Sequence, residues 1–348
     1  MRETFWIGSR GSALALAQAG EVADRLRKAH RSLHFDLRII KTTGDKLPTA
    51  SLAKSGIKGL FTRELERALL QNKIGVAVHS LKDLPTESPA GLAIAAVPPR
   101  EDPRDVLVFK DPKWSPEKGG VVATSSLRRK YQLLSKWPKL QVVEIRGNVE
   151  TRLRKLLENS EWDSIVLAGA GLIRLGLLRT SDREFIHYEA GLTSDQVETR
   201  KLLGLESVPM ASRRRDQPWP LRYRWLSFEE MLPAPAQAAI ALQVAQQNER
   251  WVALAATLQR FASFSETSAE RSFLAALGGG CREPVASLGR VQADRLSLQG
   301  LVFNADGTRF WQGRLDGLAR DYDALGKALA EQLRCQGAPR VKGERVGA

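Results

Sequence analysis

Cysteine is nearly absent from this chain: two in 348 residues, at 281 and 335. So small a supply argues against a disulfide framework and fits a reducing compartment. The four histidines, at 30, 34, 79 and 187, are scattered without ligand spacing, so no metal site is expected. No apolar run is long enough to span a membrane, and the N-terminal stretch lacks the apolar segment of a signal peptide. These absences point to the cytoplasm. Phosphate-cradling glycine signatures are missing too, with no G-x-x-x-x-G-K-[ST] and no G-x-G-x-x-G after a strand. Negative charge is in short supply: 53 Lys and Arg stand against 39 Asp and Glu, a formal charge of +14. A polyanionic partner follows, either nucleic acid or a substrate rich in carboxylates or phosphates. A generally basic proteome is the bland alternative. The chain is long enough for two or three domains.

The position of the charge decides more than its size. Thr4–Gly8 reads as a strand, and Ser12 as the N-cap of a helix from about Ala13 to Lys28, a start that favours anions near Arg10. Phe35–Lys41 is a second strand. Residues 42–59 lack periodicity and suggest a mobile lid over an anionic ligand, with Lys54 and Lys58 near its end, or else a plainly flexible loop. A helix follows over Leu60–Asn72. The short apolar run from Ile74 reads as a buried parallel strand ending in Ser80, Lys82 and Asp83 before Pro85. Ligands of open α/β sheets bind beyond such strand ends.

The pattern repeats at Val121–Lys130, at Val142–Arg152 and at Ser164–Arg174. Each is a strand, a polar or glycine turn, then a helix, and each junction carries arginine. Residues 128–155 hold nine Lys and Arg against two acids. A solvated face accounts for Lys130, Arg154 and Lys155. Arg146, between an apolar strand and Gly147, fits a site for several anionic groups better, since the guanidinium fork pairs with carboxylates. Without phosphate signatures, carboxylates are the favoured ligand groups.

Near the other end, a helix-like segment stops at Gly278-Gly-Gly280, followed by Cys281, Arg282, Glu283 and Pro284. One glycine suffices for a helix cap. Three place Cys281 on a sharp turn, although burial as an inert thiol is the common fate of a lone cysteine. Leu296–Asn304 and Thr308–Leu315 flank a hairpin turn at Ala305-Asp-Gly307. Asp321–Leu333 has helical spacing, and the tail from Gly337 is expected to be disordered. Cys335, with no glycine platform, is incidental.

Val78-His-Ser-Leu-Lys-Asp-Leu-Pro85, Thr124-Ser-Ser-Leu-Arg-Arg129, Arg146-Gly-Asn-Val-Glu-Thr-Arg152 and Gly278–Pro284 occur in this order. Together they resemble the porphobilinogen deaminase, or hydroxymethylbilane synthase, family. Gly8-Ser-Arg-Gly-Ser12, Ile57-Lys-Gly-Leu-Phe61 and Glu270-Arg-Ser-Phe273 add to the likeness, which spans the chain except about residues 180–228. The resemblance implies an α/β fold of two lobes like type II periplasmic binding proteins, plus a small C-terminal α/β domain. Residues 1–101 with 237–256 would form the first lobe, 102–230 the second and 260–348 the third domain.

The resemblance also implies the reaction. Porphobilinogen molecules, four per product, are joined head to tail with loss of ammonia, and water releases the linear tetrapyrrole hydroxymethylbilane, in tetrapyrrole and haem biosynthesis. The chain grows on a dipyrromethane cofactor held by a thioether to Cys281. Asp83 matches the catalytic acid, assisting loss of the amine and steadying positive charge on the pyrrole nitrogens. Arg10, Ser12, Ser80, Lys82, Thr124, Ser125, Ser126, Arg128, Arg129, Arg146, Arg152 and Arg174 would hold acetate and propionate groups. Lys58, Phe61, Gln18 and Gln237 would supply lid and ring contacts. A monomer is implied, with neither nucleic acid nor membrane as partner, and with hand-off of the unstable product to uroporphyrinogen-III synthase.

The chain departs from the family pattern twice. The inter-domain segment usually reads Leu-Pro-Ala-x-Gly-Gln-Gly, and here it is Leu232-Pro-Ala-Pro-Ala-Gln-Ala238, with alanine at both glycine positions and less backbone freedom. Before Glu229 an insertion of several tens of residues includes Ala211–Trp225, with five arginines, one acid, and interleaved Trp and Tyr. It reads as a solvated excursion, or else as a nucleic-acid- or partner-binding loop. Two rival functions stand beside the enzyme: a carboxylate-binding protein without catalysis, which has no need of an anchoring thiol, and nucleic-acid binding, which needs the arginines on an outer groove.

Overall fold

The computed structural model describes residues 3–43, 62–178, 221–279 and 283–340. Lys58, Phe61, Cys281, most of the segment read as an insertion and the tail from residue 341 lie outside the described residues.

Two five-stranded sheets share one topology. The first is built from β1 (Thr4–Ser9), β2 (His34–Ile39), β3 (Val76–Ser80), β4 (Leu92–Ala96) and β10 (Ile240–Ala245), in the order β2-β1-β3-β10-β4. The second is built from β5 (Asp105–Phe109), β6 (Gly120–Ala123), β7 (Leu140–Val143), β8 (Ser164–Ala168) and β9 (Arg222–Trp225), in the order β7-β6-β8-β5-β9. In each sheet four strands run in one direction, three of them paired side by side, and the penultimate strand, β10 or β5, is antiparallel to both neighbours. That strand is the one arriving from the other half of the chain. Two crossover segments, about 97–104 and 226–239, therefore join the sheets, which is the arrangement of a type II solute-binding fold.

The sequence explains these layers. The parallel strands are short apolar runs because helices cover both faces. On one face of the first sheet, Ile7, Phe35, Val76 and Leu242 pack with Val22 and Leu26 of α1 (Ala13–Ala29); on the other, Ala77 meets Leu65 and Leu69 of α2 (Arg63–Leu70). In the second sheet Val106 and Ile165 pack with Leu153 and Leu156 of α4 (Val149–Glu158), while Leu107 and Val122 meet Leu133 of α3 (Leu127–Lys136). Each fully buried side chain of this size contributes about 1.5–3 kcal/mol. After β8 comes the short helix α5 (Gly169–Arg174), and after β10 comes α6 (Glu249–Ala256).

The remaining residues form a three-stranded antiparallel sheet of β11 (Val285–Gln292), β12 (Arg295–Phe303) and β13 (Phe310–Leu318), backed by α7 (Phe261–Ala276) and α8 (Tyr322–Cys335). Phe273, Leu298, Leu329 and Leu333 form its core. At the end of α7, Gly278 adopts φ +77° and its N–H donates to Ala275 O. Gly279 packs so close to Leu274 that a Cβ there would lie 2.7 Å from Cδ1. The cap thus uses two glycines, one for its φ and one for its contact.

The basic stretch before Glu229 is not wholly an excursion, and here the expectation is corrected. Arg222–Trp225 is β9, paired antiparallel with β5. Leu221, Tyr223 and Leu226 are buried, while the cations find faces to lie on: Arg224 over Trp137 and Arg104 over Trp225. The alternation Leu-Arg-Tyr-Arg-Trp suits an edge strand, and the arginine count concealed it.

The two crossovers and α7 meet at a buried polar junction. Arg100 forks onto both carboxylate oxygens of Glu270, at 2.7 and 3.0 Å, and its Nε donates to Gln237 O at 2.9 Å. Glu270, with no solvent exposure, also accepts the N–H groups of Ala236 and Gly289. Removing either partner of such a pair costs about 3–5 kcal/mol. Ala236 and Ala238 have φ +60° and +73°. The glycine-like backbone is kept without glycine, at about 1–2 kcal/mol for each alanine.

Candidate functional site

β3 carries its apolar residues into the core and then turns sharply. Ser80 ends the strand, Leu81–Asp83 form a single 3-10 turn, and Leu81 is buried as its plug. Ser80 Oγ and the Gln18 amide of α1 exchange hydrogen bonds at 2.9 and 3.1 Å. The turn sends Lys82 and Asp83 different ways. Lys82 is partly buried, and its Nζ donates to Gln237 Oε1 at 3.2 Å, while Asp83 is exposed. Burial draws the Lys82 ammonium down to about 8, although Asp83 beside it pulls the other way.

Gln237 passes the connection to the second sheet. Its Nε2 donates to Asp105 Oδ1 at 2.9 Å and to Pro103 O at 2.8 Å. Asp105, at the head of β5 with no exposure, pairs with Arg129 through Oδ1 and Arg128 through Oδ2, both at 2.8 Å. Burial alone would raise this carboxyl, but the two guanidinium groups outweigh it and hold Asp105 far below the usual carboxylate range. Arg128 and Arg129, both buried, also donate to Leu232 O and Val166 O. Their charge is thus set inside the protein, at the first turn of α3. Ser126 caps that helix through Arg129 N–H, Thr124 Oγ1 accepts from Ser126 N–H, and Ser125 Oγ donates to Ile145 O.

Arg152 projects from the start of α4, capped by Asn148, and its Nε donates to Gly147 O at 2.8 Å. Gly147 has φ +126° and packs against Thr151, a geometry closed to other residues. Burial lowers Arg152 to about 10; Arg129 and Arg146 add to the shift, and Asp83 opposes it. That coupling puts Asp83, from the first sheet, within electrostatic reach of an arginine from the second. Arg146 lies 3.5 Å from Glu144.

The helix start at α1 is as expected: Ser12 Oγ accepts from Ala15 N–H. Arg10 lies near enough to His79 to matter. Burial and then Arg10 depress that imidazole to about 4, partly offset by Gln243. Arg174 sits at the last residue of α5, pairs with Glu21 of α1 at 3.1 Å and donates to Ala238 O. It clasps the two halves together.

Of the residues expected from sequence, hydrogen bonds, ion pairs and electrostatic coupling therefore link Lys82, Asp83, Gln237, Arg128, Arg129 and Arg152 in one neighbourhood. Ser80 and Gln18 pair beside it. Arg174 faces an acid instead. Sequence reasoning missed Asp105, Arg100 and Glu270. The one available signal for Asp105 is an acid opening an apolar strand, Asp105-Val-Leu-Val-Phe, in a sheet whose other polar residues fall at strand ends. Chemically, this neighbourhood sets cations from both sheets around one exposed carboxylate. Such a donor set fits a ligand bearing several carboxylates, and a carboxylate-rich pyrrole cofactor is of that kind. Among the described residues no cluster suits a metal ion, and no helix is long and apolar enough to cross a membrane.

Comparison with known proteins agrees with this chemistry. The family model described as porphobilinogen deaminase, dipyromethane cofactor binding domain, matches residues 5–198, and that of the porphobilinogen deaminase C-terminal domain matches 264–334. The first match continues into the segment read as an insertion. The chain is 40% identical over 343 residues to the porphobilinogen deaminase of Desulforudis audaxviator, covering 98% of this chain and 97% of that one. It is 41% identical over 333 residues to that of Paracoccus denitrificans, covering 94% and 93%. A solved structure, the probable amino-acid ABC transporter extracellular-binding protein from Bacillus subtilis, is similar at TM-score 0.37 and 10% identity, covering 72% of this chain and 88% of that one.

Proposed function

The chain belongs to the porphobilinogen deaminase family, and from that premise we propose that Asp83 is its catalytic carboxylate and Cys281 its cofactor anchor. The enzyme is a transferase of tetrapyrrole synthesis. Porphobilinogen units, four in number, are joined head to tail; each condensation forms one carbon–carbon bond and expels one ammonia, and water releases hydroxymethylbilane. The dipyrromethane cofactor, when bound, supplies the pyrrole carbon from which the chain is extended.

The chain's own residues supply the rest. Arg10, Ser12, Lys82, Arg146 and Arg152 meet substrate carboxylates, each well-made charge-assisted bond contributing about 1.5–3 kcal/mol. Arg128 and Arg129, anchored by Asp105, add a fixed positive field and present their remaining N–H groups. Asp83 receives the substrate ammonium and balances the positive charge that develops as ammonia leaves. What supports this role most is its situation: an exposed carboxylate on the β3 turn, within reach of Lys82 and of Arg152 from the other sheet. We place the reaction in the cytoplasm, in a monomer that hands its product to uroporphyrinogen-III synthase. The first lobe corresponds to residues 1–101 with 237–256, the second to 102–230 and the third domain to 260–348. The direct test supplies porphobilinogen to the purified protein and measures ammonia against substrate consumed. One ammonia per porphobilinogen, with a linear tetrapyrrole as product, is expected; tight binding without ammonia release would leave the carboxylate-binding alternative.

Lys82 makes the reading pH-dependent. An ammonium at about 8 loses its charge as pH rises through that value, and its attraction for a carboxylate goes with it. The ratio kcat/KM, which reports the free enzyme, is expected to fall on the alkaline side with an apparent pKa near 8. In Lys82→Arg that limb is lost, because guanidinium stays protonated. A pH–rate profile of the two proteins decides; an unchanged limb in Lys82→Arg assigns it elsewhere.

A further inference from the structure

Among the described residues, buried guanidinium groups find two kinds of partner. Arg100, Arg128, Arg129 and Arg174 each face a carboxylate: Glu270, Asp105, Asp105 and Glu21. Arg271 differs. Its described hydrogen bonds all end on backbone carbonyl oxygens, and all four of those belong to the segment that carries Asp83. Nη1 donates to Leu84 O at 3.2 Å and to Leu81 O at 3.5 Å, and Nη2 to Pro85 O at 2.6 Å and Thr86 O at 3.1 Å. These carbonyls bracket Asp83, one lying two residues before it and three directly after.

The segment needs such a partner. Beyond the end of β3 the sheet no longer satisfies its backbone. Leu81 N–H reaches Ala239 O and Leu84 N–H closes the single 3-10 turn, and the carbonyls of residues 84–86 accept from Arg271. A guanidinium has five donors in a rigid plane, and one such group can fix several carbonyls at once where a point charge could not. Keeping a cation here is costly, since burial draws Arg271 down to about 10. Its platform is firm. The preceding residue on α7, Glu270, holds Arg100 and the crossover at Ala236, and the following one, Ser272, bonds to Asp323 of α8.

We propose that Arg271 is a positioning residue for the reaction: from α7 it sets the Asp83 turn, and so fixes where the Asp83 carboxylate stands relative to Arg152 of the second sheet. This rests on the assignment of Asp83 as the catalytic carboxylate. Arg271 touches no reacting atom; it acts through the backbone on either side of Asp83. Its loss should therefore slow turnover with little effect on substrate capture, which belongs to the cations of the site.

The test measures kcat, KM and thermal midpoint for Arg271→Met, Arg271→Lys and a core variant of the same domain, Leu333→Ala. Misplacing a catalytic group by about 1 Å can cost about a hundredfold, so Arg271→Met is expected to lose about ten- to a hundredfold in kcat with KM within about twofold. Arg271→Lys, able to reach some of the four carbonyls, should recover part of that loss. Leu333→Ala, destabilised at a distance from the turn, should keep its kcat below its own melting temperature. Wild-type kcat in Arg271→Met overturns the proposal. So does an equal loss in Leu333→Ala, which would make the effect one of general stability. Should Arg271→Met not fold, Arg271→Lys decides alone: reduced kcat at unchanged KM supports the role, and full activity removes it. Asp83→Ala, assayed in parallel, separates the two layers. If that variant is active, the assignment of Asp83 fails; if it is inactive while both Arg271 variants turn over normally, only the role of Arg271 fails.

Discussion

Asp83→Ala is expected to retain the fold and lose kcat by about a hundred- to ten-thousandfold, the range for removing a positioned acid–base group. The two halves of that expectation come from different observations. Asp83 is exposed and ends no buried hydrogen bond, so its removal leaves no orphaned partner in the core, and stability should change by about 0.5 kcal/mol or less. Leu81, two residues earlier, still plugs the turn, and the backbone of 81–86 keeps its bonds to Arg271. The kinetic loss has another source. Lys82, Arg152 and the arginines anchored by Asp105 surround the position with positive charge. A substrate whose reacting group is an ammonium enters that field against repulsion, and on the proposed assignment Asp83 is the negative charge that receives it. With alanine there, the carboxylates of the substrate are still held while the ammonium is not. Substrate consumption and thermal melting of the variant, measured beside the wild type, check both parts. A folded variant turning over near the wild-type rate would take Asp83 out of the chemistry.

The sequence made the strand ends legible, because each junction repeats an apolar run, a polar turn and a basic helix start. Ser12, Ser126 and Asn148 occupy cap positions that such starts demand. What stayed hidden was long-range pairing of charge. Arg128 and Arg129 read as ligand-binding residues on motif grounds. Nothing local shows that Asp105, more than twenty residues earlier, is buried between them, since a lone acid before an apolar strand looks like any strand start. Glu270 and Arg271 show the same limit. In the sequence they stand only as part of a family motif, yet one is fully buried against Arg100 and the other reaches the carbonyls of the Asp83 turn. The alanines at 236 and 238 were visible as departures from a glycine pattern. Their positive φ was not, because it is imposed by the junction with Glu270 and Arg174.

Cys281→Ser is expected to lose the covalent cofactor altogether, and turnover with it. A thioether forms when a sulfur nucleophile adds to an electron-poor carbon, and the thiolate is the reactive species. A serine hydroxyl at the same place ionises far less readily and is a poor substitute. Intact mass of the purified wild type should exceed the sequence mass by two deaminated pyrrole units, and Cys281→Ser should match its sequence mass. The chain contains its own control. Cys335, exposed at the end of α8 with only a weak contact to Glu331, offers a second thiol. If attachment followed thiol exposure alone, Cys335→Ser would remove the adduct and Cys281→Ser would keep it, and that result would sink the assignment. The helix preceding Cys281 argues for the opposite outcome. α7 is fixed by Glu270, Arg271 and Ser272 to the crossover, to the Asp83 turn and to α8. Its last turn ends at Gly278, three residues before Cys281. If Cys281 carries the group as proposed, the group is tethered just beyond the helix whose Arg271 bonds the backbone of the Asp83 turn, and anchor and carboxylate are expected to keep one frame while the chain between them grows. On the proposed assignment Cys281 is the anchor through successive condensations, and a variant that loses it is expected to have no primer on which those condensations can begin.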